Sequence, residues 1–232
     1  PQEFAVVLTI FFALGAWRIS QRNVLTQRSS ALETLGAATV LCVDKTGTLT
    51  ENRMRVARLV TPGGAELKVS GAATTEMPED FHLLVEFAVL ASHRDPYDPM
   101  EKAIQALAGK ALAGTEHLHD DWAIEREYPL APELLAMSQV WRALHEGKPT
   151  EEWAIAAKGS PEAIADLCHL NAAQTQAIQA QVERMAVDGL RVLGVACARL
   201  ARPAQLDTAA AASALPGDQH DFEFEFQGLL AL

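Results

Sequence analysis

A polar run beginning at residue 44 has the residue types of a phosphate-transfer site. Residues 44–50 read Asp-Lys-Thr-Gly-Thr-Leu-Thr and follow the apolar residues 39–43. An apolar run of this length predicts a buried strand, so Asp44 would leave the carboxyl end of that strand. A carboxylate in this position can act as a nucleophile and carry a phosphoryl group as a mixed anhydride.

The residues that follow Asp44 suit a phosphate group. The Lys45 ammonium could offset charge, and Gly47 permits a tight turn. Thr46 and Thr48 offer hydroxyl and amide donors. The run resembles the phosphorylation motif of P-type ATPases, the cation pumps that pass through an aspartyl-phosphate. This resemblance implies that Asp44 accepts the phosphoryl group, while Lys45 offsets its charge and Thr48 holds its oxygens. It also implies that the Asp44 carboxylate and the Thr46 carbonyl bind Mg²⁺.

Composition narrows the function classes. The chain has 232 residues, of which 49% are apolar, and a net charge of −11 from 30 acidic and 19 basic residues. This acidity argues against nucleic-acid binding, which needs a basic face. The cysteines show no C-x-x-C spacing, and Cys42 and Cys197 lie in apolar runs. They are therefore expected to be reduced core residues in a cytosolic compartment.

The amino-terminal segment is predicted to be the cytosolic end of a membrane helix. Residues 4–17 are almost wholly apolar, and Arg18, Arg22 and Arg28 follow, as at the cytosolic end of a span. The alternative is a buried helix, since a full span needs about 20 residues. In the P-type ATPases this is the place of the fourth membrane helix. Residues 1–5 depart from the family's Pro-Glu-Gly-Leu-Pro sequence, so ion specificity does not transfer.

The resemblance implies an α/β fold class: the start of a haloacid-dehalogenase-like, Rossmann-like phosphorylation domain with an inserted α+β nucleotide-binding domain on an antiparallel sheet. The expected boundaries are 1–18 for the membrane helix end, 19–38 for the stalk and linker, 39–54 for the phosphorylation domain, 55–228 for the nucleotide-binding domain and 229–232 for the return to the phosphorylation domain.

Hydrophobic periodicity and turn signals predict the elements of the inserted body. Helices are expected at residues 81–93, at 99–113 and from Asn171 to Gly189. Strands are expected at 55–60, 66–70, 122–128, 134–142, 153–157, 190–198 and 222–226. Residues 201–221 are expected to form a loose loop with room for a helical turn.

Three segments of this body resemble the nucleotide site of the same family. Residues 153–162 form a strand that ends at Lys158-Gly159, and the run resembles K-G-A-P-E, whose lysine lines the adenosine pocket. Residues 98–103 resemble D-P-x-E-x-A, whose glutamate, here Glu101, bonds the adenine edge. Gly189 to Leu193 resembles G-L-R-V-L, whose arginine, here Arg191, reaches the phosphates. We also expect an unpaired Arg191 beside a buried strand to be costly without such a role.

Two leucines depart from the family pattern. Leu130 stands where phenylalanine commonly stacks on adenine, and Leu135 stands where lysine is common. We therefore expect Leu130 to pack against the base without a ring, and ATP affinity to be low. His117 and His119 form an H-x-H pair, which we interpret as solvated loop histidines because a metal site needs at least three converging ligands.

The resemblance implies ATP-driven cation transport, with ATP and Mg²⁺ as cofactors. Actuator and membrane domains of the same polypeptide are the implied partners, in a multi-pass membrane protein whose present domains face the cytoplasm. The chain alone is expected to be inactive. One alternative is a soluble phosphatase of the same fold, although Thr46 stands where such enzymes carry a second aspartate. Another is a non-catalytic nucleotide-binding module.

Overall fold

The structure is a computed structural model, and it contains two compact units. The described residues are 2–25, 28, 30–69, 77–119, 121–145, 148–202 and 214–232. The first unit is Pro1–Asn52 and the second is Arg53–Leu232.

The first unit contains helix α1, Gln2–Ser20, and helix α2, Ser30–Ala37. In α1, Glu3–Ser20 is long and apolar enough to cross a membrane by length and composition.

The strand predicted over residues 39–43 is absent, and this prediction is wrong for the described chain. These residues have no regular secondary structure, and Val40 and Leu41 are exposed. A strand satisfies its backbone N–H and C=O groups by pairing with a neighbour. No described residue forms such a pair with residues 39–43. Their apolar side chains alone are therefore not enough to form a strand.

The second unit is built on a seven-stranded sheet, counted over the described residues, in which every neighbouring pair is antiparallel. The order across the sheet is β2-β1-β7-β6-β5-β4-β3. The strands are β1 Arg58–Val60, β2 Glu66–Lys68, β3 Ala123–Tyr128, β4 Ala136–His145, β5 Lys148–Gly159, β6 Val192–Ala201 and β7 Glu225–Ala231. The prediction of an antiparallel sheet with helices is confirmed.

Helices cover both faces of the sheet. The α-helices are α3 His82–Leu90, α4 Pro99–Ala111, α5 Pro161–Leu167 and α6 Ala172–Val187, with short 3-10 turns at Glu79–Phe81 and Gln219–Asp221. Strand β5 shows why both faces need cover. Trp153 and Ile155 belong to the core beside α5, whereas Ala154 and Ala156 belong to the core beside α3 and α4. A strand buried on both sides reads as a continuous apolar run.

Capping residues and prolines determine where helices α4 and α5 begin. Asp98 caps α4 by accepting a hydrogen bond from the Met100 amide at 2.6 Å, and Ser160 caps α5 by accepting one from Ala163 at 3.1 Å. Pro99 and Pro161 occupy first-turn positions, where the missing N–H is not needed. The predicted start of α4 at residue 99 is therefore confirmed.

Strand β7 runs further than predicted. The alternating aromatics suggested a strand over 222–226, but β7 is Glu225–Ala231. Leu229 pairs with Val60 of β1 on one side and Gly194 of β6 on the other. Residues 229–231, expected to lead back to the phosphorylation domain, thus lie in a central strand of this sheet.

The cysteine prediction is wrong for Cys42, which is exposed. Its apolar neighbours pair with no strand in the described part of the chain. Burial raises the pKa of Cys168 to about 12 and that of Cys197 to about 11. These two thiols are therefore protonated and unreactive at neutral pH.

Residues 214–221 are packed rather than loose, which corrects the predicted loop over its last part; residues 203–213 lie outside the described chain. The Tyr128 hydroxyl donates to the Pro216 carbonyl at 2.6 Å, and Ser138 Oγ donates to Gln219 Oε1 at 2.5 Å. His220 bridges Asp166 and Asp218, each at 3.1 Å. These contacts hold the segment over one face of the sheet.

His220 gives a pH-dependent prediction. Its bonds to Asp166 and then Asp218 raise its pKa. Stability from a raised pKa is fully present below the unfolded value of about 6.5 and is lost as pH rises through the folded value. We expect His220→Gln to lower the free energy of unfolding at pH 5.5 more than at pH 9, by well under about 1 kcal/mol because solvent screens the pair. Urea unfolding at both pH values measures this, with His169→Gln as control; an equal loss at both contradicts it.

Candidate functional site

One end of the sheet carries a cleft of about 620 Å³. Strand β5 ends there at Gly159, while its antiparallel neighbours β4 and β6 begin there. The start of α4 and the loop between β3 and β4 complete the walls. Antiparallel pairing therefore brings four segments that are distant in the chain to one edge.

Every residue predicted to bind nucleotide lies at this cleft. The residues come from α4, the β3–β4 loop, the end of β5 and the residue before β6: Glu101, Leu130, Lys158, Gly159 and Arg191. Leu135, the second departure from the family pattern, also lines it. The structure thus brings together residues that the sequence could associate only by resemblance.

A buried ion pair lies against the cleft. Lys158 Nζ is 2.5 Å from Glu101 Oε1 and donates to Ser92 Oγ at 2.6 Å. His93 Nδ1 is 3.2 Å from Glu101 Oε2. Lys158 and Glu101 are each 6% exposed, and Ser92 is 1% exposed. The ion pair, the serine and the histidine thus form one hydrogen-bonded network.

The pair is held in its charged form by mutual contact. Burial raises the pKa of Glu101, but the bonds from Lys158 and His93 outweigh it, so the pKa lies below its ordinary value. Burial lowers the pKa of the Lys158 ammonium, and Glu101 opposes that shift. Removing one partner would leave an uncompensated charge in a dry site, which is strongly destabilising. Lys158 therefore supports the fold as well as the cleft.

Arg191 corrects one step of the sequence argument. Its side chain is exposed, so no desolvation cost requires a partner. Its backbone exchanges two hydrogen bonds of 2.9 Å with Leu232, and no ion pair is formed by its guanidinium within the described residues. The guanidinium is therefore free to meet an anion, and its backbone is fixed while it does so.

The two leucines form an apolar lip on the cleft. Leu130 is 61% exposed and Leu135 is 54% exposed. Exposed leucine side chains at a cleft mouth gain free energy when a flat apolar ligand covers them. They supply no ring and no charge, as the sequence indicated.

Gly159 has a steric role at the cleft floor. A Cβ at this position would lie 2.3 Å from the Leu135 carbonyl oxygen and 2.6 Å from the Ala136 Cα. Both are backbone atoms, which cannot move without disturbing the β4–β5 pairing. The glycine thus permits the strands to approach at the point where the cleft opens.

We expect Gly159→Ala to destabilise the second unit by about 1–3 kcal/mol, the usual cost of forcing an extra carbon into a packed site. The control is Gly217→Ala, because a Cβ there would meet nothing within 4 Å. Urea unfolding of both variants measures the difference. Equal stability of the two would show that the backbone at Gly159 yields easily.

The histidine prediction is wrong. His117 Nδ1 lies 2.5 Å from Glu86 Oε2, and His119 Nε2 lies 2.7 Å from Glu86 Oε1. Glu86 is buried, and neither histidine is exposed. The pair therefore supports a buried carboxylate on α3, more than thirty residues back in the chain, which the local H-x-H pattern could not indicate. No group of three or more His, Cys, Asp or Glu in the described chain is arranged to hold a metal.

The predicted phosphorylation residues lie on an exposed turn in the first unit. The Lys45 carbonyl accepts from the Leu49 amide at 2.9 Å and from the Thr50 amide at 3.2 Å. Gly47 has a φ of +75°, which favours glycine. Asp44, Thr46 and Thr48 are exposed on this turn. The predicted tight turn is confirmed.

Comparison with known proteins agrees with the fold and the motifs. The sequence model of a family described as "P-type ATPase, cytoplasmic domain N" matches residues 97–232. A cation-transporting ATPase, pma1, of Synechocystis is 32% identical over 234 residues, covering 84% of this chain and 25% of that protein. A calcium-transporting ATPase, type 2C member 1, of mouse is 29% identical over 229 residues, covering 84% of this chain and 24% of that protein.

The family model matches residues 97–232, which include α4 and strands β3 to β7 of the second unit, and this unit is therefore a cytoplasmic domain of the N type. The chain belongs to the P-type ATPases. It spans about a quarter of the length of the relatives it matches.

Proposed function

We propose that this chain is the ATP-binding and phosphate-accepting part of a cation-transporting ATPase that works through an aspartyl-phosphate. The observation that carries the proposal is the assembly of Glu101, Leu130, Lys158, Gly159 and Arg191 at a single cleft. Four separate segments supply these residues, and the chance meeting of all four predicted segments at one cleft is small.

ATP is the proposed ligand of the cleft. The apolar lip of Leu130 and Leu135 would cover the base, and Glu101 would accept a hydrogen bond at its edge. Exposed Arg191 would meet the phosphates, since a guanidinium matches oxyanions in charge and geometry. Affinity is expected to be low because the lip has neither ring nor charge.

Asp44 is the proposed phosphate acceptor, with Lys45, Thr46 and Thr48 around it. The carboxylate is exposed on its turn and can reach a phosphoryl donor. Residues 39–54 would begin a haloacid-dehalogenase-like domain whose other strands would pair with residues 39–43. Such pairing would cover the apolar side chains that are exposed here.

Mg²⁺ fits the residues of this turn. The Asp44 carboxylate and the Thr46 carbonyl are oxygen ligands, the type that Mg²⁺ prefers. Bound there, the ion would neutralise phosphate charge. Asp44 would supply the nucleophilic oxygen, and Lys45 would add positive charge beside it.

The remaining functions belong to other parts of the same polypeptide. Membrane and actuator domains would supply ion transport and phosphoenzyme hydrolysis, and the chain alone would turn over little ATP. Helix α1, with Arg18 in its last turn, would be a membrane span, and the residues that follow it would lie in the cytoplasm.

The ATP-binding proposal is tested by titrating the 232-residue chain with ATP and recording amide shifts by NMR. Amides at the cleft, including those of Gly159 and Val192, should shift, while those of exposed Val187 should not. The titration should reach about 10 mM, because a millimolar Kd corresponds to only about −4 kcal/mol. No shift at the cleft would overturn the proposal.

A further inference from the structure

Tyr97 is the most exposed large apolar side chain at the cleft. It lies on the loop between α3 and α4, lines the same cleft as Lys158 and Arg191, and is 97% exposed. A tyrosine ring normally buries a large apolar area in a core or an interface. A ring left almost wholly in solvent at a cleft mouth is therefore available to a flat ligand.

The other ring among the described residues that line the cleft is His93, which is 55% exposed and is held through Nδ1 by Glu101. Tyr97 offers the larger and more exposed ring face. Leu130 occupies the position that we expected to contact the base, but its side chain is aliphatic. The ring that could stack on a base must therefore come from a different segment.

Lys102 holds the Tyr97 ring beside the cleft. Its Nζ lies 5.6 Å from the ring centroid, within the range of a cation–π contact. Lys102 is anchored in the first turns of α4, next to Glu101. Such a contact restricts the ring before a ligand arrives and reduces the ordering cost of binding.

We propose that Tyr97 is the base-stacking residue of the cleft and that it takes the purine of a nucleoside triphosphate in place of the missing aromatic at Leu130. The inference rests on the proposed ATP function and names a residue that the family resemblance does not include. Tyr97 contributes the π surface, while Leu130 and Leu135 cover the other parts of the base by apolar contact.

Calorimetric titration of the 232-residue chain with ATP tests the inference. Tyr97→Ala should weaken binding about tenfold, within the range for loss of one base–aromatic stack. Tyr97→Phe keeps the ring and should stay within about twofold of the wild type. Val187→Ala removes a similarly exposed apolar side chain that is not part of the cleft lining and should change nothing. Inorganic tripolyphosphate, which has no base, should bind the wild type and Tyr97→Ala equally.

An NMR measurement reports the contact directly. The chain contains 2 tyrosines, and the other, Tyr128, is buried with its hydroxyl bonded to Pro216. With ring-labelled tyrosine, adenine protons should show nuclear Overhauser contacts to the Tyr97 ring and none to Tyr128.

The outcomes separate this inference from the function on which it rests. If the wild type binds no ATP, the proposed function fails and this inference with it. If the wild type binds ATP and Arg191→Ala weakens binding, but Tyr97→Ala binds like the wild type and gives no ring contact, only the stacking role is overturned.

Discussion

In the full-length protein, Asp44→Asn is expected to abolish labelling of the protein by ATP that carries the label in its γ-phosphate. The wild type should give one acid-stable, hydroxylamine-sensitive phosphoenzyme, because an acyl phosphate survives acid and is cleaved by hydroxylamine. Asparagine matches aspartate in size, but its amide is not a nucleophile. The turn itself should persist, since the Lys45 carbonyl and Gly47 define it.

Asp80→Asn is a suitable control for this experiment. Asp80 is exposed in the 3-10 turn Glu79–Phe81 and has no proposed part in phosphate transfer, so its variant should label like the wild type. Full labelling of Asp44→Asn would show that the acceptor is another carboxylate. The lifetime of the label bears on the phosphatase alternative, because Thr46 cannot act as the acid that speeds hydrolysis in such enzymes.

Local sequence signals predicted the elements that they directly control. Asp98-Pro99 and Ser160-Pro161 mark helix starts because a side-chain cap and a proline act within one turn. Pro62, Gly63 and Gly64 separate the two expected strands that form the β1–β2 hairpin, and Gly64 has a φ of +84°. Such features need no information from distant parts of the chain.

Features that depend on distant partners were not predictable in the same way. The Lys158–Glu101 pair joins residues far apart in sequence, and Glu86 meets His117 and His119 only after α3 packs. Residues 39–43 pair with no described strand, and hydrophobicity alone could not report this. The place of Tyr97 at the cleft likewise depends on how the α3–α4 loop meets the sheet edge.

The buried Lys158–Glu101 pair makes Lys158 unsuitable for testing the phosphate site by substitution. Lys158→Ala would remove a charge from the cleft, but it would also leave Glu101 unpaired in a site where Lys158 is 6% exposed. A loss of affinity in that variant would mix binding with local unfolding. Arg191 is exposed and its guanidinium has no ion-pair partner in the described chain, so its removal leaves the fold intact.

Arg191→Ala is therefore expected to weaken ATP binding about tenfold to a hundredfold without changing the free energy of unfolding. A lost charge-assisted contact typically costs about 1.5–3 kcal/mol, and Leu135 supplies no second cation to compensate. Adenosine, which lacks phosphates, should bind both proteins equally. Calorimetric titration measures the affinities, and urea unfolding checks the fold.

Arg199→Ala is the matched control for Arg191→Ala. Arg199 is an exposed arginine on β6, the strand that follows Arg191. It lies 3.8 Å from Glu152 and is not part of the cleft lining. It changes the net charge by the same amount, so a general electrostatic effect would appear in both variants. Equal ATP affinity of Arg191→Ala and Arg199→Ala would move the phosphate site away from Arg191. A loss confined to Arg191→Ala, together with unchanged adenosine binding, would assign the phosphates to this end of the cleft.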